Sequence, residues 1–131
     1  MKDAERIAQI EDREAIRDLL ATYCYGIAAK DLEAVLSLFT TDCRVEVLGT
    51  EYEGETGLRS LYADSLVVDP KPFVHNHWIE VQDDRSARGK AVFEIRQAHD
   101  GKHESSVGCY EDEYTKQNGA WRFHRRMFSF Y

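Results

Sequence analysis

Cysteine is scarce in this chain of 131 residues, and Cys24, Cys43 and Cys109 are odd in number, widely spaced and without a C-x-x-C pair. That pattern argues against a disulfide framework or a cysteine zinc site and fits reduced, mostly buried thiols. Long apolar runs are also lacking. No stretch approaches the ~18 consecutive apolar residues of a membrane-spanning helix, and the opening "MKDAERIAQIEDRE" alternates charges where a secretory leader needs an apolar run. Basic runs interleaved with aromatics are missing as well. With 24 acidic against 17 basic side chains and a formal net charge of −7, the surface repels phosphate backbones, which argues against nucleic acid as a partner. Internal repeats, low-complexity segments and linkers are absent. The length suits one hydrophobic core, so a single soluble, cytoplasmic domain spanning 1–131 is expected.

What is present is strongly periodic. Ile16, Leu19, Leu20, Tyr23 and Ile27 fall at the spacing of an amphipathic helix, predicting a first helix from about Ala4 to Ala28. Asp31 has the chemistry to cap a second, short helix whose apolar positions are Leu32, Val35, Leu36 and Phe39. "CRVEVLG" alternates in the manner of a half-buried strand. A third helix after Thr56 carries Leu58, Leu61, Tyr62 and Leu66 before "DPKP" stops it. Strands follow at about Phe73–Gln82, Ala87–Ala98, His103–Lys116 and Ala120–Phe130, joined by "DDRS", "HDGK" and "QNG". Helices first and a meander afterwards argue for an α+β domain, with helices packed on one face of a strongly curved antiparallel sheet. The mouth of such a half-cone suits a small-molecule pocket.

Three phrases, "IEDREAIRDLLATYCYGIAAKDLEAVLSLFTTDC", "HNHWIEVQDDRSARGKAVFEI" and "GCYEDEYTKQNGAWRFHRR", cover most of the chain and resemble the SnoaL-like branch of the nuclear transport factor 2-like superfamily. The resemblance implies a cone-shaped α+β fold, usually a homodimer through the outer sheet face. Relatives include polyketide cyclases, scytalone and bile-acid dehydratases, a hexachlorocyclohexane dehydrochlorinase and the small subunits of ring-hydroxylating oxygenases. Such a range leaves the reaction open.

Family dehydratases and dehydrochlorinases pair an aspartate at the end of the first helix with a histidine at the start of the first long strand. The matching positions here are Ala28 and Pro72, or Phe73 if the register slips by one, so both members of the dyad are replaced. His75 and His77 lie nearby. Simple alternation groups Pro72, Val74, Asn76 and Trp78 on one strand face and Phe73, His75, His77 and Ile79 on the other. If the family position points inward, both histidines point outward unless a bulge shifts the phase. Three readings stay open for them: polar contacts at a subunit interface, acid/base work in the pocket, or two ligands of a metal. The last needs a further ligand, and His99, His103 and His124 repeat no ligand spacing.

Tyr23, on the apolar stripe, is a candidate hydrogen-bond donor to a substrate oxygen, and relatives resembling bile-acid dehydratase carry a tyrosine there; its plainer reading is a core aromatic. On "GCYEDEY", Tyr110, Asp112 and Tyr114 share one face. An inward Asp112 would act as a desolvated base, whereas an exposed carboxylate would pair with Arg122, Arg125 or Arg126. The catalytic candidates are therefore Tyr23, His75, His77 and Asp112, and the substrate-binding candidates Asn76, Trp78 and Tyr110. No metal or cofactor is expected. The expected activity is cofactor-free lyase or isomerase chemistry on a small hydrophobic or aromatic molecule; the alternative is a non-catalytic ligand-binding or subunit-interaction module, or a scaffold like an oxygenase small subunit.

Overall fold

A computed structural model describes residues 1–99 and 102–131, without the side chains at 98, 99, 102 and 103. The chain runs α1 (Asp3–Ala28), α2 (Leu32–Leu36), β1 (Phe39–Val47), β2 (Thr50–Glu53), α3 (Gly54–Leu66), β3 (Lys71–Val81), β4 (Ser86–His99), β5 (Lys102–Gln117) and β6 (Ala120–Phe130). The side chains of His99 and His103, weighed above as ligands, lie outside the described residues.

The buried residues of α1 are Ile16, Leu19, Leu20, Tyr23 and Ile27, the stripe that the spacing picks out. Lys30 leaves the helix with φ of 57°, and the Asp31 carboxylate caps α2 by accepting the Ala34 N–H at 3.1 Å. Phe39 does not extend α2. It opens β1, where it lies opposite Phe123 of β6 with ring centroids 5.0 Å apart. Leu48 and Gly49, with φ of 51° and 83°, form a tight turn of the kind that favours hairpins and fold back the short strand β2, which the sequence reading passed over.

The six strands lie in the order β2-β1-β6-β5-β4-β3. Neighbours are antiparallel except β1 and β6, which run parallel because the chain leaves β1 through α3 and returns to its other edge last. Bulges bend the sheet. One lies in β3 between His75 and Trp78, and another in β6, where Phe123 faces Tyr114 but Arg125 faces Glu113, leaving His124 as the extra residue. At Gly108 a Cβ would come within 2.1 Å of the Ser129 carbonyl oxygen, so only glycine allows β6 this close an approach.

The helices cover the inner face. Ile16, Leu20 and Tyr23 join Val45, Ile79, Phe93, Tyr110, Tyr114 and Phe123 in one core, each large side chain contributing about 1.5–3 kcal/mol by leaving water. Arg44, Arg88, Lys90, Glu111, Glu113 and Arg125 lie around an open groove of about 660 Å³ on the outer face. Among the described residues no helix is long and apolar enough to cross a membrane.

Candidate functional site

Between α1, α3 and the inner sheet face lies a cavity of about 310 Å³. Its walls are mainly apolar, from Ile27, Val47, Leu61, Pro72, Ile95 and Phe128. At its floor the Tyr23 and Tyr62 hydroxyls meet at 3.0 Å, with Tyr110 beside them, its ring centroid 6.0 Å from that of Tyr23. All three phenols are fully protonated donors near neutrality, since burial raises each pKa and outweighs the opposing pull of Arg126.

Arg126 lies directly behind these rings. Its side chain and that of Asp112 have no exposed surface. Nε and Nη2 donate to the two carboxylate oxygens at 2.7 and 2.9 Å. The guanidinium carbon sits 3.9 Å from the ring centroid of Tyr110, 4.3 Å from Phe123 and 4.4 Å from Tyr23. Nη1 is buried with no hydrogen-bond partner among the described residues, so the rings supply much of what stabilises it. Burial works against the charge, but Asp112, joined by Tyr23 and Tyr62, offsets it and holds the guanidinium pKa well above its ordinary value.

The pair continues outward to a histidine. Tyr114 donates its hydroxyl proton to Asp112 Oδ2 at 3.3 Å, and His77 Nε2 lies 3.1 Å from the same phenol oxygen. Because that proton is already committed to Asp112, His77 must bring its own hydrogen on Nε2, which fixes the tautomer. Burial pushes the His77 pKa down to about 4, with Arg17 and Arg126 adding to the effect and Asp112 partly opposing it.

The bulge in β3 reverses the simple alternation. Pro72 and Val74 are half-buried, His75 and Asn76 are exposed, and from His77 onward the phase is inverted, so that His77 and Ile79 turn inward while Trp78 turns out. Asn76 absorbs the change with φ of 47°. Grouping Asn76 and Trp78 with Pro72 is thus corrected: Trp78 borders the outer groove, its ring 5.8 Å from the Arg88 guanidinium carbon, and neither residue lines the cavity. His75 lies outside, 3.6 Å from Glu94. Asp112 is inward, and both its carboxylate oxygens are engaged by Tyr114 and by Arg126, one of the three arginines named above as partners, but the pair is buried rather than exposed.

Of the candidate residues, the structure therefore brings Tyr23 and Tyr110 to the cavity, places His77 and Asp112 behind it, and leaves His75, Asn76 and Trp78 on the outer side. Pro72 lines the cavity, and Ala28 ends α1, its carbonyl accepting from Lys71 Nζ at 2.7 Å. Tyr62 and Arg126 were not singled out as site residues. Tyr62 was legible only as part of an apolar stripe, and strict alternation from Trp121 and Phe123 points Arg125 inward until the extra residue His124 substitutes Arg126. No group of three or more His, Cys, Asp or Glu side chains able to hold a metal occurs among the described residues.

Comparison with known proteins agrees with this geometry. A family model described as a SnoaL-like domain matches residues 8–127. No curated protein matches. Among solved structures, Rv3472 from Mycobacterium tuberculosis, described as of unknown function, superposes with a TM-score of 0.89 at 27% identity over 100% of this chain and 77% of its own. A putative scytalone dehydratase from Novosphingobium aromaticivorans gives 0.87 at 18% identity, over 96% and 88%. The hexachlorocyclohexane dehydrochlorinase LinA-type3 from Novosphingobium barchaimii gives 0.82 at 19%, over 95% and 90%. At such identities the last two speak for the fold alone.

Proposed function

Because the chain belongs to the family of SnoaL-like domains, we propose that it binds a small hydrophobic or aromatic molecule in the cavity between α1, α3 and the sheet. The observation that carries this reading is the Tyr23–Tyr62 pair. Two hydroxyls share one hydrogen bond, so one proton of the pair is left over to donate to an oxygen of the ligand. The apolar walls bind the body of the molecule and the phenol fixes its orientation, the usual division of labour in a small-molecule site. A volume of about 310 Å³ suits a bicyclic rather than a larger ligand.

A second reading, cofactor-free lyase or isomerase chemistry, is favoured by Arg126. A guanidinium 4.4 Å from the Tyr23 ring centroid stabilises negative charge developing on an oxygen hydrogen-bonded to that phenol, as in enolisation with the α-proton passing to water, since the cavity lining holds no carboxylate or imidazole among the described residues. Both readings are tested with 2-acetylnaphthalene. Calorimetry should detect binding to the wild type and none to a cavity-filling Leu61→Trp variant. Absence of binding to the folded wild type would sink the cavity reading. NMR in D2O then follows exchange of the methyl protons next to the carbonyl; binding without accelerated exchange leaves the non-catalytic module.

The outer sheet face is the proposed contact with a second copy of the chain. Supporting this, Trp78 and Met127 are exposed at 47% and 38% on a face where Lys90 meets Glu111 and Arg125 meets Glu113, a mixture of apolar and paired charged groups that can complement itself.

A further inference from the structure

The polar groups of the cavity are not confined to its floor. Gln97 of β4 and Ser106 of β5 also line it, both half-buried on the inner face, and neither makes a side-chain hydrogen bond among the described residues. Ser106 is four residues from Tyr110 on the same face of β5, a separation of roughly 13 Å along an extended strand. The walls between these ends are Ile95, Phe128, Phe130 and Leu61. Unengaged polar side chains cost least where a ligand or water completes them.

From this arrangement we infer that the cavity is built for a two-ended ligand: a flat apolar body with an acceptor oxygen at one end, held by Tyr23 and Tyr62, and a second polar group at the other end, held by Gln97 and Ser106. The inference rests on the cavity reading above and goes further in assigning Gln97 and Ser106 as the residues that set ligand specificity. The two ends differ in chemistry. At the floor the phenols remain protonated donors beside a buried cation, so that end takes a carbonyl or other acceptor oxygen. At the mouth an amide and a hydroxyl both donate and accept, so that end takes a hydroxyl. A molecule with both oxygens at one end satisfies only one of the two sets.

The test compares three ketones by calorimetry: 2-acetylnaphthalene, its 6-hydroxy derivative with oxygens at opposite ends, and its 1-hydroxy derivative with both at one end. The 6-hydroxy compound should bind the wild type about tenfold more tightly than the other two, the gain of one well-placed hydrogen bond pair. In a Gln97→Leu/Ser106→Ala variant the advantage of the 6-hydroxy compound over 2-acetylnaphthalene should vanish. Equal affinity of all three for the wild type, or an advantage that survives in the variant, would overturn the two-ended assignment and leave the cavity reading standing. Binding of none of the three would overturn both.

Discussion

The hydroxyls of Tyr23 and Tyr62 meet at 3.0 Å although 39 residues separate them in the chain. Removing either oxygen should affect the two hydroxyls alike, since each is the other's partner. Tyr23→Phe and Tyr62→Phe should each cost about 1 kcal/mol of stability, measured by urea denaturation. Each should also weaken an aromatic ketone severalfold. A double Phe variant that loses no more stability than either single one would show that the pair acts as a unit.

Arg126 and Asp112 form a completely buried ion pair. Removing one charge strands the other, so Asp112→Ala should destabilise the fold by about 3–5 kcal/mol. The double variant Asp112→Leu/Arg126→Met removes both charges and should recover much of that loss. Thermal unfolding of the three proteins decides the matter, and a double variant less stable than Asp112→Ala would contradict the account.

His77 gives the protein an acid-sensitive edge. The unfolded chain takes up this proton near the ordinary imidazole value of 6.5, the folded chain only near about 4. Its contribution is therefore complete above pH ~6.5 and is lost as the pH falls towards 4. The ring is partly exposed, so the slope should fall short of the full one-proton value of about 1.4 kcal/mol per pH unit. His77→Gln, which keeps a donor for Tyr114, should flatten the pH dependence of Tm over this window.

The proposed dimer face can be tested by charge. Trp78→Glu or Met127→Arg places an unpaired charge at the centre of the outer face and should convert a dimer to a monomer in light scattering, leaving the circular dichroism spectrum unchanged. A wild type that is monomeric at micromolar concentration would end the proposal.

What could be read from the sequence was whatever repeats. The α1 stripe ending at Ile27, the Asp31 cap and the "QNG" turn, where Asn118 and Gly119 adopt φ of 51° and 79°, all follow from local rules. The bulges do not. An extra residue at His124 or a left-handed Asn76 leaves no periodic trace, yet each decides which side chains of its strand enter the core. So Tyr23 could be named as a cavity candidate in advance, because its helix carries no break in phase, whereas for Tyr110 the inward face of its strand stayed open. Arg126 could not be named, and the inward turn of His77 could be posed only as a condition.

The charge at the centre of the core also bears on how the molecule assembles. Asp112 comes from β5, Arg126 from β6, and one of the rings against the guanidinium, Tyr23, from α1 at the far end of the chain. Until strands and helix are together, the guanidinium is better off hydrated, and burying it early would be costly. Docking of α1 and closure of the last hairpin thus shield the same charge, so loosening either one exposes the guanidinium to water.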